Sequence, residues 1–349
     1  MFKKNVDFLI IGQGIAGSLL AWQLLQFGAS VIVIDDNHTE AASLVAAGMI
    51  NPISGKRMDP IKKFNHFYNE ACNTYRQLES ELCAPYFNEM SVIRIIQSNA
   101  EARYFNKYKN CSKFTQFLKK VNQPGLNPKL INDPFGSFTL SPAAYVNTSR
   151  LVIDLGKYLD KKNLRLTYRF QYDELKFESH KIIWKDWVAK SIIFCEGYRG
   201  CNNPWFKSLP FKPAKGELLT LETDTALLHG TILNCGKWLL PLSKHHCLAG
   251  STFSWNPLNH QPSEEGKNEI LNTLHSFTYF NFKVLNHVAG IRPTMENSHP
   301  RIEQHRNFPT IAIFNGLGTK GALIAPYYAR VLASNLMEMI NFNKKIYIS

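Results

Sequence analysis

The sequence has few cysteines, and none of them follows a pairing pattern. Its 349 residues include seven cysteines, at positions 72, 83, 111, 195, 201, 235 and 247, with no Cys-x-x-Cys pair. An odd and scattered set predicts reduced thiols instead of a disulfide framework, and reduced thiols are typical of the cytoplasm. We therefore expect a cytoplasmic protein.

Long hydrophobic runs are also missing. Lys3 and Lys4 precede an apolar stretch, but glycines and Gln13 interrupt this stretch and Asp35 ends it. No other run approaches the roughly 18 uninterrupted apolar residues that a membrane-spanning helix needs. The sequence therefore predicts neither an export signal nor a membrane partner.

Patterns that bind metals or activate nucleophiles are absent as well. The 11 histidines, including His245 and His246, show no HExxH spacing, so the sequence predicts no metal site. We find neither a Ser-His-Asp set nor a pair of catalytic carboxylates. This excludes the commonest hydrolase classes.

Charge of one sign is in excess. The formal net charge is +13, yet residues 1–58 balance four basic against four acidic side chains. The excess lies mainly in residues 60–130 and 140–215. Such clusters are usually solvated surface, but they also attract acidic partners such as RNA. Charge alone does not choose between these interpretations.

The strongest positive signal is a short apolar run that ends in Gly12-x-Gly14-x-x-Gly17. A periodic apolar helix follows, and a second apolar run ends at Asp35 and Asp36. This order predicts a strand, a phosphate-binding turn, a helix and a parallel strand. A carboxylate at position 35 accepts hydrogen bonds from an adenosine ribose. The segment therefore predicts a bound adenine dinucleotide.

Hydrophobic periodicity predicts the remaining elements. Helices are expected over 61–82, 142–161, 263–276 and 320–340. Strands are expected over 92–96, 164–168, 182–184, 191–195, 217–222, 237–241, 247–253 and 310–314. Signals typical of parallel strands lie at the start, middle and end of the chain, so we expect two interleaved domains. The nucleotide domain takes 1–60, 136–212 and 289–349, and the substrate domain takes 61–135 and 213–288.

A second glycine-rich turn lies near the C-terminal end of the sequence. The strand over 310–314 runs into Gly316-x-Gly318-x-x-Gly321 and then a helix. One such loop can hold the pyrimidine side of an isoalloxazine ring. The helix N-terminus and Lys320 would then stabilise the anionic reduced ring. The alternative is a loop that only caps a surface helix.

With both ends considered, the chain resembles the D-amino-acid oxidase superfamily of FAD-dependent oxidoreductases. The resemblance lies in the first glycine motif and in "SLVAAGMINP" (43–52), "KSIIFCEGYRG" (190–200), "PAKGELLTL" (213–221), "WLLPLSKHHCLAGSTF" (238–253) and "GIRPTMENSHPRI" (290–302). The segment "NGLGTKG" is most similar to the loop in the FAD domain of bifunctional tRNA methylaminomethyl-thiouridine biosynthesis enzymes. Residues 61–135 carry little resemblance, so substrate specificity is expected there.

The resemblance implies an α/β fold: a discontinuous, Rossmann-like three-layer FAD-binding domain and an α+β substrate domain with a largely antiparallel sheet. It also implies FAD as the cofactor. The implied cofactor-binding residues are Gly12, Gly14, Ile15, Ala16, Gly17, Asp35, Asp36, Ala47, Gly48, Met49, Gly197, Gly316, Gly318, Thr319, Lys320 and Gly321. Cys195-Glu196-Gly197 departs from the family, which more often has a small residue, Thr and Gly. No cysteine follows Cys247, so we expect non-covalent FAD.

Arg292, in "GIRP", matches the family's carboxylate-binding arginine, and Lys320 is the second expected catalytic residue. Lys56 and Arg57 are expected near the mouth of the site, or as solvated loop charges. The implied activity is oxidation of a C–N bond in a small amine or amino acid by hydride transfer to flavin. The alternatives are oxidative removal of a carboxymethyl group from a modified tRNA nucleoside, with tRNA bound through the basic surface, and a flavin-loaded assembly protein without turnover. No oligomeric state follows from the sequence.

Overall fold

A computed structural model describes residues 3–55, 58–178 and 181–346. The predicted positions of Lys56 and Arg57 lie outside these ranges. The helices, in chain order, are α1 (Ile15–Gln26), α2 (Ala42–Val45), α3 (Phe64–Leu82), α4 (Asn99–Tyr108), α5 (Ser112–Thr115), α6 (Thr148–Lys161), α7 (Glu264–Phe277) and α8 (Gly321–Ile346).

The strands that precede the middle of the chain are β1 (Lys4–Ile11), β2 (Val31–Asp35), β3 (Met49–Ile50), β4 (Ile53–Ser54), β5 (Asp59–Pro60), β6 (Phe87–Ile95), β7 (Leu118–Asn122), β8 (Ser137–Val146) and β9 (Arg165–Thr167). The later strands are β10 (Leu175–Glu178), β11 (Lys181–Trp184), β12 (Trp187–Phe194), β13 (Ala214–Thr223), β14 (Thr231–Cys235), β15 (Lys237–Pro241), β16 (His246–Gly250), β17 (Phe282–Arg292), β18 (Arg301–Gln304) and β19 (Ile311–Asn315).

The first sheet has a parallel centre in the order β9, β2, β1, β12 and β19. Strands β10 and β11 continue the sheet beside β12, and β18 pairs with β19, all antiparallel. The second half of β1 and all but the last residue of β2 are buried, which suits strands covered on both faces. Helix α1 is buried along nearly its whole length and packs against α8. The carboxyl ends of the parallel strands therefore meet at one edge, where ligands of such sheets bind.

The second sheet has the order β17, β13, β16, β15, β14, β6, β8 and β3, with β7 paired to β8. Its pairs are antiparallel apart from β14 with β6. The two sheets together confirm the predicted fold class. Strand β8 lies in this second sheet, whereas the sequence grouped residues 136–146 with the nucleotide domain. The division into domains itself stays a prediction.

The helix predicted from Pro142 was wrong in its first turn. Residues up to Val146 continue strand β8, whose buried positions pair with β6 and β7, and α6 begins only at Thr148. The Asn147 side chain accepts a hydrogen bond from the Arg150 amide at 3.1 Å and so caps the helix. Pairing across the sheet outweighed the apolar spacing that indicated a helix. The helix predicted from residue 61 likewise begins at Phe64.

Helix α8 contains Pro326, which has no N–H to donate to the carbonyl of Ala322, four residues earlier. The hydroxyl of Tyr75, on α3, donates to this carbonyl at 2.7 Å and is fully buried. A side chain of the neighbouring helix thus replaces the missing backbone hydrogen bond. In the described part of the chain, no helix combines the length and apolar character needed to cross a membrane.

Candidate functional site

The turn after β1 has no room for side chains at two of its glycines. Gly12 has a φ of 97°, and a Cβ there would lie 2.5 Å from the carbonyl oxygen of Cys195. A Cβ on Gly17 would lie 1.9 Å from the carbonyl oxygen of Gly12. Helix α1 therefore packs directly on the turn, as the sequence predicted. Its N-terminus borders a large cleft that Gly14 lines.

This cleft has a volume of about 690 Å³ and is lined by residues from both sheets. Its size lies within the range of small-molecule and cofactor sites, roughly 300–1,000 Å³. Asp35 lines it at the end of β2. The two oxygens of this carboxylate accept the backbone N–H groups of Gln13 and Asn37, each at 2.8 Å. The carboxylate is thus held in one orientation at the edge of the cleft.

Asp36, the next residue, is paired differently. Arg199 Nη1 lies 2.6 Å from one carboxylate oxygen, and His38 Nδ1 lies 2.8 Å from the other. Burial pushes the pKa of Asp36 upward, but the Arg199 hydrogen bond and charge outweigh it and hold the pKa below its ordinary value. Asp35, Asp36 and His38 place possible ligand atoms within 4.8 Å of one another. The adjacent Arg199 cation disfavours a metal ion at this point.

Sequence reasoning missed Ser43, on α2. Its hydroxyl accepts the amide N–H of Ile15 at 2.9 Å, at the start of α1. The nearby Gly48 has a φ of 65°, and a Cβ there would lie 1.8 Å from the carbonyl oxygen of Val146. The segment over 42–49 is thus fitted closely to α1 on one side and to β8 on the other. Its small residues were the signal available in the sequence.

Glu196 is half-buried and lines the cleft. Its oxygens accept hydrogen bonds from the Tyr172 hydroxyl at 2.6 Å and from Asn203 Nδ2 at 2.8 Å. Burial raises its pKa, and the two hydrogen bonds and the Arg199 charge only partly oppose the rise. The sequence identified this position as a departure from the family, and the structure gives the carboxyl two partners of its own.

The second glycine-rich turn connects β19 to α8. Gly316 has a φ of 75°, and a Cβ there would lie 2.6 Å from Cγ of Met295. The Gly318 amide donates to the carbonyl of Pro293 at 3.2 Å. The turn is thereby joined to the chain just after β17, where Arg292 lies.

Arg292 is half-buried at the end of β17 and lines the cleft. Its Nη2 donates to the Ser251 hydroxyl at 2.8 Å and to the Thr252 carbonyl at 3.2 Å. Its Nη1 donates to the Lys215 carbonyl at 3.2 Å. The ring of Phe253 lies 5.3 Å from the guanidinium carbon. The guanidinium is therefore held by neutral groups on several sides.

No acidic side chain within the described ranges forms an ion pair with Arg292. Burial lowers its pKa to about 10, which still leaves it charged at neutral pH. A half-buried cation without a counterion favours an anionic ligand. The cleft thus contains a positive charge that no described carboxylate compensates.

Most of the predicted site residues line this cleft. They are Gly12, Gly14, Ile15, Ala16, Asp35, Asp36, Ala47, Gly48, Met49, Gly197, Arg292, Gly318, Thr319 and Gly321. Gly17 and Gly316 lie behind it, where they contact backbone or Met295. Lys320 lines a different cavity. The binding roles of these residues stay predictions.

The second sheet and the residues beside it also contribute to the cleft residues that the sequence did not single out, among them Gly216, Leu218, Trp238 and Ser251. They come from the strands over 213–221 and 238–253, which were assigned only to the substrate domain. A glycine within a strand marks the close approach of another group, so Gly216 had a readable signal. The others had none, because an alternating strand does not show what its inner face meets.

Comparisons with known proteins agree with this geometry. The chain is 20% identical to a glycine oxidase of Bacillus licheniformis, over 96% of this chain and 94% of that protein. It is 24% identical to the tRNA 5-methylaminomethyl-2-thiouridine biosynthesis bifunctional protein MnmC of Leptospira borgpetersenii, over 94% of this chain. The matched region spans only 57% of that bifunctional relative.

Solved structures show the same fold. Glycine oxidase from Geobacillus kaustophilus superposes with a TM-score of 0.80 at 18% identity, over 96% of this chain and 95% of that one. Iminodiacetate oxidase from Chelativorans sp. superposes with a TM-score of 0.75 at 20% identity, over 95% of each chain. The sequence pattern of the FAD dependent oxidoreductase (DAO) family matches residues 7–335. The chain therefore belongs to this family of FAD-dependent oxidoreductases.

Proposed function

We propose that this chain oxidises the C–N bond of a small carboxylated amine or amino acid, with FAD as its cofactor. The observation that carries the proposal is Arg292, a cation without a counterion in the described chain, at the substrate end of the cleft. When bound, FAD supplies the acceptor for the hydrogen and electron pair that leave the substrate carbon.

The residues of the cleft fit such a cofactor. Gly14 leaves bare backbone at the N-terminus of α1, which suits a pyrophosphate. Asp35 has its orientation fixed by two backbone amides and suits a ribose. The backbone of Gly318 and Thr319 lines the same cavity nearer to Arg292. We propose that the predicted cofactor-binding residues act at these places.

Arg292 is well prepared to bind a carboxylate. A guanidinium has five N–H groups, and the contacts with Ser251, Thr252 and Lys215 use three of them. The two that remain, on Nε and Nη1, are left to donate to an anionic group of the substrate. The fixed neutral partners hold the group in place before the substrate arrives, which reduces the ordering cost of binding.

The strands around Arg292 contribute no carboxylate or histidine to the cleft within the described residues. Strands β13, β15 and β17 line this part of the cleft. Of their described lining residues, Arg292 has an ionisable side chain, whereas Gly216, Leu218, Trp238 and Ile291 do not. We therefore propose that the amine reacts in its neutral form, with its proton lost to water before binding. The apolar walls then exclude water from the reacting carbon.

The names of relatives support this substrate class. Glycine oxidase and iminodiacetate oxidase are named after small amines that carry carboxylates. Their substrates belong to those proteins, and identities near 20% do not transfer them. They do indicate that this fold has accommodated the chemistry proposed here.

The proposal is tested by anaerobic titration of the yellow holoenzyme. Glycine, sarcosine and D-proline are added in turn, and the flavin absorbance is followed. We expect at least one small carboxylated amine to bleach the flavin. Flavin that is retained but reduced by no amine in a broad panel would contradict the proposal and favour an assembly protein without turnover.

A second candidate function is oxidative removal of a carboxymethyl group from a modified tRNA nucleoside. The net charge of +13 and the 24% identity to the bifunctional relative favour it. Binding to RNA phosphates through basic side chains would weaken steeply with salt. Retention of tRNA that is lost between about 50 and 200 mM salt would support this function.

We further propose a cytoplasmic enzyme that holds FAD without a covalent bond. Cys195 lines the cleft, and burial raises the pKa of its thiol well above the usual value. A protonated thiol is a poor nucleophile. Cys247 is fully buried in the core that α7 and the second sheet form, so it does not reach the cleft.

A further inference from the structure

A second cavity, of about 640 Å³, adjoins the cleft. Met49 and Thr319 line both. The polar and charged residues around the second cavity are Asn51, Ser54, Arg94, Gln97, Ser98, Glu101, Tyr104, Asn234 and Lys320. A chamber of this size and polarity next to the reacting centre is larger than a glycine-sized substrate requires.

The charges in this chamber do not balance. It contains two cations, Arg94 and Lys320, and one carboxylate, Glu101. Glu101 lies 2.7 Å from Arg94 Nη2, and its other oxygen accepts the Gln97 amide at 2.8 Å. The carboxylate is therefore already occupied, and one positive charge remains uncompensated.

The two cations that line the chamber are partnered differently. Arg94 is 7% exposed, its Nη1 donates to the Gly55 carbonyl, and its Nε is buried without a hydrogen-bond partner. The half-buried side chain of Lys320 makes no ion pair or hydrogen bond with the residues that the structure describes. Arg94 is already paired with Glu101. The ammonium of Lys320 is therefore the charge that favours an anionic ligand in the chamber.

The chamber is connected to Arg292 through hydrogen-bonded backbone. Pro293 follows Arg292, and its carbonyl accepts the Gly318 amide at 3.2 Å. Lys320 comes two residues after Gly318. One segment therefore places a cation at the substrate end of the cleft, and the loop bonded to it places a second cation in the adjoining chamber.

We propose that the second chamber binds a second anionic group of the substrate. The substrate class is then an amine with a carboxylate at Arg292 and, several bonds away, a carboxylate or phosphate at Lys320 and Arg94. This inference rests on the proposed function, because it assumes that Arg292 holds the first carboxylate. It gives Lys320 a role other than the flavin contact that the sequence predicted.

The test is isothermal titration calorimetry of the FAD-loaded protein with pairs of carboxylates of equal length. Pentanoate, hexanoate and heptanoate are compared with glutarate, adipate and pimelate. For at least one pair we expect the dianion to bind about tenfold more tightly, since hydrogen bonds to charged groups contribute that much. In Lys320→Gln this ratio should fall to near one.

The exposed Lys113→Gln is the matched control, because it removes the same charge away from both cavities. It should keep the ratio of the unaltered protein. A ratio near one for every pair in the unaltered protein, or a ratio that Lys320→Gln leaves unchanged, would overturn the inference.

Arg292→Ala separates this inference from the proposed function. If the monoanions bind equally well with and without Arg292, the proposed function itself fails. If they need Arg292 but the dianions gain nothing, only the second chamber loses its role. Carboxylates of the same chain lengths that end in a phosphonate instead of a second carboxylate identify the anion. If they exceed the monoanions in affinity by a larger ratio than the dicarboxylates do, the chamber prefers a phosphate, and a smaller ratio indicates a carboxylate.

Discussion

The guanidinium of Arg292 lies against the backbone of Gly216, so that a Cβ on Gly216 would be 1.9 Å from Arg292 Nη2. The two residues belong to paired strands, in which Gly216 lies opposite Gly290 and Ala214 opposite Arg292. The absence of a side chain at position 216 therefore makes room for the arginine. This relationship couples one strand residue directly to the proposed carboxylate receptor.

Gly216→Ala should displace the Arg292 guanidinium and weaken substrate binding at least tenfold, because no Cβ tolerates a contact at that distance. FAD should stay bound, since the atoms nearest to the added Cβ all belong to the Arg292 guanidinium and not to the glycine-rich turns. Steady-state kinetics and flavin absorbance measure the two effects. Thr220→Ala, on the same strand, is the control, and equal losses in both variants would contradict the steric explanation.

Arg292→Ala should strongly raise the apparent KM for the substrate while FAD stays bound. Arg292→Lys keeps the charge but loses the planar set of N–H donors that Ser251, Thr252 and Lys215 hold in place, so it should recover only part of the loss. The inhibition constant of a simple carboxylate that competes with the substrate, compared among the unaltered protein, Arg292→Lys and Arg292→Ala, measures this order of affinities. Equal turnover in the alanine variant would refute the assignment of Arg292.

The stability of the protein should depend on pH through Glu196. Burial raises the pKa of Glu196 in the folded protein. Its contribution to the free energy of unfolding is therefore fully present below the pKa of an unfolded glutamate, about 4.3. This contribution is lost as the pH rises through the raised pKa of the folded protein. Glu196→Gln cannot ionise. The stability of the parent protein minus that of the variant should therefore decrease between pH 4 and 8.

Thermal unfolding of the two proteins across this range measures that difference. Other titrating groups are common to both proteins, so they largely cancel. A difference that is constant, or that increases with pH, would show that the carboxyl group is not desolvated in the folded protein.

Tyr75→Phe should destabilise the protein by about 1–3 kcal/mol, because the buried carbonyl of Ala322 would lose its donor. Pro326 offers no replacement. Urea unfolding measures the change. Tyr279→Phe, at an exposed tyrosine, should change stability by less than about 0.5 kcal/mol, and similar values for the two variants would rule out the capping role of Tyr75.

Acid precipitation of the holoprotein should release all of its flavin into the supernatant. The reason is that the thiol lining the cleft, Cys195, is held protonated by its burial. Absorbance of the pellet and supernatant measures the release. Yellow colour that stays with the precipitated chain would show a covalent bond.

Much of the architecture could be predicted from local sequence. The first glycine motif requires its residue type at Gly12 and Gly17, because a turn and a helix approach there at contact distance. The family and the fold class followed from this motif together with the second glycine-rich turn and the segments between them, and both were confirmed. The strand β8 was partly misread as helix, because apolar spacing does not report which neighbouring strands are present.

From the sequence alone, the resemblance to the family identified the cofactor class and the arginine that lines the cleft, because several short motifs spread along the chain carry that resemblance. Only the tertiary structure decided that Gly216 makes room for this arginine, that Ser43 meets the start of α1, and that Lys320 lines a second chamber. Those relationships join residues that are far apart in the chain. Their distances are set by how the two sheets pack, and no local pattern contains that information.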